Sequence, residues 1–337
     1  ALPISGDDTF DASLSGTSMT FGSADALDGG EGSDTLLVVV NSTSTFSTTG
    51  LNNIEMLNAT FTAAGTINLL GASGVTIVEA NSSTDTSKFS NIGATSVALK
   101  ATAIGDDILN FGFTTAAVAG TSDTATLTLA GVEQAGSTDT IVSGIEALNV
   151  VSTNNANTLG QIIDTSLATL NVSGDQNLTV VTALGTATTV VDASQLTGEL
   201  TVTTGNIAQT VTGGSGNDTY VVDQQSVVTI FENGDSLNDK LVASDIGLYR
   251  PNTYFITLDS LHLFIFDVDS RQQIYVYDWA NTSNGIEIII AAGVSYTFDE
   301  FSTILNNSNK NLGNYSFEDF NSTFEPTTAW TTSEYRE

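Results

Sequence analysis

The stretch VTGGSGNDTYVVD, residues 211–223, sets Gly213 and Gly214 side by side, Gly216 two positions on and Asp218 two further, then turns at once to a β-branched and aromatic run. Glycine reaches φ > 0, or lets a neighbouring backbone come close, because it carries no Cβ. A loop with three glycines is built around something. Asp218 places a carboxylate inside it, and Thr219 to Val222 have the composition of a short strand. Carboxylates and backbone carbonyls on a flexible turn suit a hard cation, and calcium takes about 6–8 oxygen ligands. Calcium is therefore the cofactor expected.

The same order of residues recurs near the start of the chain. GGEGSDTLL holds Gly29, Gly30, Gly32, Asp34 and Leu36 at the spacing of Gly213, Gly214, Gly216, Asp218 and Tyr220. Partial copies surround the two full ones. GDDTF carries Gly6, Asp8 and Phe10, GDDIL carries Gly105, Asp107 and Leu109, and GDSLNDKLV keeps Gly234, Asp239 and Leu241. Asp25 and Leu27 stand where an adjoining repeat would place its acid and its apolar residue. The expected metal set is thus the two full copies with Asp25, Asp8, Asp107 and Asp239. The competing reading of the partial copies is ordinary Asp/Gly turns.

These nonapeptides resemble the RTX (repeats-in-toxin) motif of calcium-binding β-helices. The resemblance implies that each turn supplies half of a cation site and that a stacked neighbour supplies the rest.

Composition narrows the partners. Against 38 acidic residues stand 7 basic ones, a formal net charge of −31 in 337 residues. Such a polyanion is repelled by nucleic acid and by anionic membrane surfaces, so neither is expected. Only 13% of residues are charged and 40% are hydrophobic, which argues against disorder. Bound divalent cations would relieve the repulsion among the acids. The basic residues cluster late: Lys88 and Lys100 precede residue 240, while Lys240, Arg250, Arg271, Lys310 and Arg336 follow. No cysteine occurs, so disulfides and thiol chemistry are excluded. No apolar run reaches 18 residues, so no transmembrane helix is expected. The opening ALPISGDD has neither an initiator Met nor a signal-peptide pattern, as expected of a mature product or a piece of something longer. Calcium turns of modest affinity need the roughly millimolar calcium outside cells, so the expected location is secreted, extracellular and at the cell surface.

From residue 34 onward, short apolar or Thr-rich runs such as TLLVVV, VTIVEA, TATLTLA and ELTVTTG alternate with Gly, Asn, Ser and Asp. They recur about every 8–12 residues, the rhythm of an all-β sandwich, barrel or solenoid. A longer echo aligns Ile54, Glu55, Leu57 and Asn58 with Ile145, Glu146, Leu148 and Asn149. Two related modules explain it most simply. The fold expected is all-β: an elongated, calcium-binding parallel β-solenoid or β-roll with a β-rich C-terminal cap. The modules expected are 1–130 and 131–224, followed by the cap at 225–305 and a polar tail at 306–337. Thr297 and Glu300 read as a capping box opening a short helix. Together, the Ile-Glu-x-Leu-Asn segments, the Thr/Val ladders and the flanking nonapeptides are similar to RTX-type bacterial surface-layer (S-layer) proteins over residues 1 to 223.

Little in the sequence suggests catalysis. The single histidine, His262, alternates with apolar residues in LHLFIF and reads as structural. Glycoside hydrolysis needs two carboxylates at a set separation, and sequence leaves that geometry open. Asp7/Asp8 and Asp106/Asp107 are already explained as calcium turns, and Glu55 and Glu146 occupy matching places in a repeat. No enzyme is expected. The resemblance implies a structural protein that self-associates through calcium-bridged contacts into an oligomer or lattice, with a cell-surface polysaccharide as a further partner. An RTX-type adhesin and the noncatalytic calcium module of a larger secreted enzyme remain the alternatives.

Overall fold

The strand Thr35–Val40 shows why these runs fold as they do. Its sequence, TLLVVV, alternates between a buried face made of Leu36, Val38 and Val40 and a half-exposed face. It pairs in parallel with Thr9–Ala12 on one side and Met56–Phe61 on the other. Parallel neighbours require a long connection, and here the connection is the remainder of one solenoid turn. Leu36 pairs with Leu57, Leu57 with Val78 and Val78 with Leu99, one rung every 21 residues through this stretch.

The protein was analysed as a computed structural model that describes residues 5–223, 225–234, 236–243, 246, 252–281, 285–306 and 311–315. Two compact units are present: Ala1–Thr188 with Leu196–Gly198, and Thr189–Gln195 with Glu199–Glu337.

In the first unit the main sheet runs, rung by rung, through Thr9–Ala12, Thr35–Val40, Met56–Phe61, Ile77–Asn81, Ala98–Ile104, Thr124–Val132, Ala147–Thr153 and Thr169–Gly174. A second parallel sheet takes Thr45–Ser47, Thr66–Asn68, Ser87–Ile92, Leu109–Phe113, Asp139–Ser143 and Gln161–Ile163 from the same turns. Each turn thus gives a strand to more than one sheet, and the side chains between the sheets stack on their counterparts one rung away. Phe61 meets Phe89 edge to face at 5.4 Å between centroids, and Phe89 stacks on Phe111 at 5.6 Å. Each fully buried Leu or Phe is worth about 1.5–3 kcal/mol. No turn can bury its inner face alone, so stability comes from stacking.

The second unit repeats the plan and then ends it. Val190–Leu196, Ala208–Thr212, Val227–Phe231 and Gln272–Val276 are parallel, after which His262–Asp267 and Thr253–Leu258 add on antiparallel. A companion sheet runs Leu200–Thr203, Thr219–Val221, Lys240–Ala243 and Ile288–Ala291 in parallel and closes with antiparallel Val294–Thr297. The switch from parallel to antiparallel is the β-rich cap expected from the longer aromatic strands. Thr297 Oγ1 accepts the Glu300 N–H at 3.3 Å, and Glu300 Oε2 accepts the Thr297 N–H at 3.0 Å, so the capping box opens helix Phe298–Asn306. Phe301 of that helix is fully buried and meets Phe255 and Trp279 edge to face. No helix among the described residues is long and apolar enough to cross a membrane.

The boundary expected at residue 130 falls inside the strand Thr124–Val132, because the unit of repetition is the rung. The Ile-Glu-x-Leu-Asn echo marks the same corner on two rungs: Glu55 and Glu146 each precede a strand of the main sheet. The tail expected at 306–337 lies outside the described residues except for Asn306 and the strand Asn311–Tyr315, which pairs in parallel with Thr253–Leu258.

Candidate metal centre

The site follows from where each rung turns a corner. Just before a strand, the backbone N–H of one turn donates to an acidic side chain of the next. Asp8 donates to Asp34 Oδ1 at 2.9 Å and Asp34 to Glu55 Oε2 at 2.7 Å. Asp123 donates to Glu146 Oε2 at 2.8 Å and Ile145 to Asp164 Oδ2 at 3.0 Å. In the second unit Leu200 donates to Asp218 Oδ1 at 2.6 Å, Asp218 to Asp239 Oδ1 at 2.7 Å and Asp239 to Glu287 Oε2 at 2.9 Å. A charged acceptor makes these bonds roughly twice as strong as neutral ones. The acids are therefore a structural ladder first, each satisfying an amide that burial would otherwise orphan.

At one place the ladder becomes a cluster. Asp218, Glu232 and Asp239 bring one carboxylate oxygen each to within 4.8 Å of one another. Asp218 and Asp239 are buried, and Glu232 is half-buried. Tyr220 pairs with Leu241 in the neighbouring strand, so Asp218 and Asp239, two residues before them, are the same corner on successive rungs. Glu232 arrives from the end of strand Val227–Phe231. Its Oε1 accepts the Tyr220 hydroxyl, and Ser236 Oγ donates to Asp239 Oδ2. Gly214 N–H donates to Asp218 Oδ2 at 2.7 Å.

Gly213 is required by space. A Cβ there would stand 2.1 Å from Tyr220 Oη, 2.6 Å from Asp218 Oδ2 and 2.8 Å from Glu232 Oε2. Gly216 lies half-buried in the same loop.

Burial, then mutual repulsion, governs the electrostatics. Desolvation pushes Asp218 up to about 7 despite the amides of Leu200 and Gly214, with Asp239 and Glu199 adding to the rise. Glu232 is pushed up to about 9, first by burial and then by Asp239 and Asp218. Asp239 and Glu287 are raised by burial as well, and Lys240 partly offsets the effect on Asp239. Tyr220 is raised well above the ordinary phenol value by burial and the nearby carboxylates. These shifts are those of oxygens that lack a countercharge.

The first full copy reproduces part of this arrangement. Asp34 is fully buried, and a Cβ on Gly29 would stand 2.4 Å from its Oδ2, as Gly213 abuts Asp218. Phe10 pairs with Leu36, so the partial copy at Asp8 is the adjoining rung. Oδ2 of Asp34 and Oδ2 of Asp8 are both buried with no hydrogen-bond partner. Gly32 sits at φ 141° with its Cβ position 2.3 Å from Gly6 O, and Gly30 N–H donates to Asp28 Oδ1 at 3.2 Å.

The structure brings together Gly213, Gly214, Asp218 and Asp239 in one corner and Gly29, Asp34 and Asp8 in another. It does not bring Asp25 or Asp107 into either cluster. Asp25 is exposed and accepts the Gly22 N–H at 2.8 Å within its own turn. Asp107 is half-buried, its carboxyl raised by desolvation and then by Asp85 and Asp106. Glu232 was not read from the sequence. It precedes an Asn-Gly turn in IFENGD, which looks like a solvated turn acid, and only the rung register aims it at Asp218. His262 accepts the Asp278 N–H through Nδ1 at 2.9 Å, and burial lowers its basicity, so it holds a hairpin as a neutral acceptor.

The donor set is all oxygen and all anionic, the chemistry of a hard cation. Orphaned buried carboxylate oxygens and glycine positions that a methyl group would fill both fit such an ion. No protein-family model matches the chain, and no curated protein or solved structure matches it. The class defined by fold and site is a parallel β-solenoid with an acidic corner ladder.

Proposed function

We propose that this chain is a secreted, calcium-dependent structural protein that self-associates into an extracellular surface layer or a related assembly. The observation that carries the proposal is the convergence of Asp218, Glu232 and Asp239 within 4.8 Å in a largely buried corner. Three carboxylates so placed are mutually destabilising unless they are protonated or countered by a cation. Asp218, Glu232 and Asp239 would hold calcium in the second unit, and Asp8 with Asp34 would do so in the first. The bound ion supplies the positive charge that the chain, at −31, does not supply itself.

The chain's own residues explain how calcium would govern folding. Gly213 leaves the room in which the carboxylates meet. Tyr220 fixes Glu232 by donating to Oε1. The ladder amides of Leu200 and Asp218 hold Asp218 and Asp239 in register, so closing this corner also aligns successive rungs. With the acids ionised and uncountered, ordering glycine-rich turns costs more entropy than stacking returns. Calcium bridges between exposed acids on different copies would extend the same chemistry from folding to assembly.

Sedimentation velocity with parallel circular dichroism, in chelator and then across a calcium titration into the millimolar range, tests both steps. Coil converting to β-structure together with growth into large species is the expected result. Folding without growth would move the reading to an adhesin or a calcium module. No response to calcium would overturn it.

A further inference from the structure

A second feature of the capped unit shares no residue with the carboxylate corner. Among the described residues, eleven that are not glycine adopt positive φ. Five are Asn or Asp, whose short polar side chains favour that region, and four are Ser or Ala. The other two are Gln225 at φ 66° and Arg271 at φ 59°, and both line one open cleft of about 490 Å³. Long side chains held in a sparsely populated backbone conformation point from strain toward function.

The cleft's chemistry is specific. Asn206, Gln225 and Gln273 supply amides, Phe266 supplies a half-buried ring, and Arg271 is exposed at the rim. Arg271 is the only arginine among the described residues, and its guanidinium makes no hydrogen bond or ion pair among them, in a chain with 38 acids. In the wall, Gln272 is fully buried and donates through Nε2 to the carbonyls of Val222 and Asp223, which fixes the orientation of its amide. Its Oε1 is left without a donor.

We infer that this cleft binds a polyhydroxylated carboxylate, the chemistry of a uronic acid residue in an acidic saccharide. The guanidinium takes the carboxylate as a forked, charge-assisted pair. The amides match hydroxyl groups, which donate and accept at once, and the half-buried Phe266, stacked on Tyr254 and Phe264, adds apolar surface to the lining. The volume lies within the range of small-ligand sites. An acidic side chain of a second copy would satisfy Arg271 alone and leave the three amides without use.

The test is calorimetric titration of the full chain, in millimolar calcium, with glucuronate, its uncharged methyl ester and a glucuronate-containing tetrasaccharide. The charged sugars are expected to bind, and the ester to bind at least about tenfold more weakly. Equal affinity for glucuronate and tetrasaccharide identifies a free sugar acid as ligand, and tighter tetrasaccharide binding identifies a polymer. Arg271→Gln is expected to weaken binding at least about tenfold. Arg271→Gly, which relieves the backbone, should lose binding equally with Tm unchanged or raised, so that loss of fold is excluded as the cause. Equal binding of acid and ester, binding indifferent to R271Q, or no binding through the millimolar range would overturn the inference. Loss of self-association in R271Q without saccharide binding would overturn it in favour of a contact between copies. The saccharide-binding outcomes do not depend on whether calcium drives assembly.

Discussion

The two full nonapeptides share a spacing and a ladder bond but differ in what completes them. At Asp218 a rung neighbour, Asp239, and an acid from outside the motif, Glu232, converge on one corner. At Asp34 the neighbouring rungs bring Asp8 on one side and Glu55 on the other, and two buried oxygens, Oδ2 of Asp8 and of Asp34, are left without partners. The motif specifies the glycine cradle and one carboxylate. What turns a cradle into a three-carboxylate centre is the chance of which acid the next turn delivers.

Substitution of the first glycine in each copy separates the two corners. A Cβ on Gly29 would stand 2.0 Å from the backbone oxygen of Asn53, which cannot move without shifting a rung. At Gly213 the three nearest atoms are side-chain ends. Gly29→Ala is therefore expected to destabilise by about 3 kcal/mol, and Gly213→Ala by about 1–2 kcal/mol, the range of overpacked cores. The order reverses for the ion: Gly213→Ala should remove more of the calcium-dependent gain in the urea midpoint, because it spreads the trio apart. Equal effects of both variants on both readouts would show that the corners are interchangeable.

The pH response should distinguish the second corner next. Asp218 and Glu232 have folded values of about 7 and about 9, above their ordinary 3.8 and 4.5. An acid with a raised folded value contributes stability below its unfolded value and loses it as pH rises through the folded one. In chelator, stability is thus expected to fall from about pH 4 to about pH 9, by up to about 1.4 kcal/mol per pH unit for each group. In calcium the slope should flatten or invert, since a ligand must shed its proton to bind. Glu232→Gln should raise the unfolding free energy in chelator at neutral pH by about 1–3 kcal/mol, read from urea melts, while weakening calcium binding. A flat profile in chelator would show that the trio is already countercharged by other means.

Much of this was legible in the sequence, for a physical reason. Period-two runs such as TLLVVV can bury only one face, glycines at fixed offsets mark a shared corner, and Thr297 with Glu300 spells a cap. The partial copies at Asp8 and Asp239 lie on rungs that adjoin the full ones, since the apolar residues two positions on, Phe10 and Leu241, pair with Leu36 and Tyr220. What stayed hidden depends on register. Rungs recur every 21 residues at Asp34 and Glu55, but the step from Leu99 to Leu127 is longer, because the loops between strands vary in length. Glu232 could not be assigned a partner without that register, and Asp25 and Asp107 match the pattern locally yet belong to no cluster of three acids among the described residues.

The smallest predicted effect tests whether the ladder and the metal centre are distinct. Glu55 accepts the amide of Asp34 but belongs to no cluster of three acids among the described residues. Glu55→Gln keeps an acceptor and removes only the charge assistance, so destabilisation within about 1 kcal/mol is expected. Calcium affinity should be unchanged, because Oδ2 of Asp34, the buried oxygen without a partner, faces no loss. If E55Q instead lowered calcium affinity as strongly as E232Q, Glu55 would be a ligand of the first corner. The difference between the two corners would then lie in which oxygen each acid presents and no longer in how many acids converge.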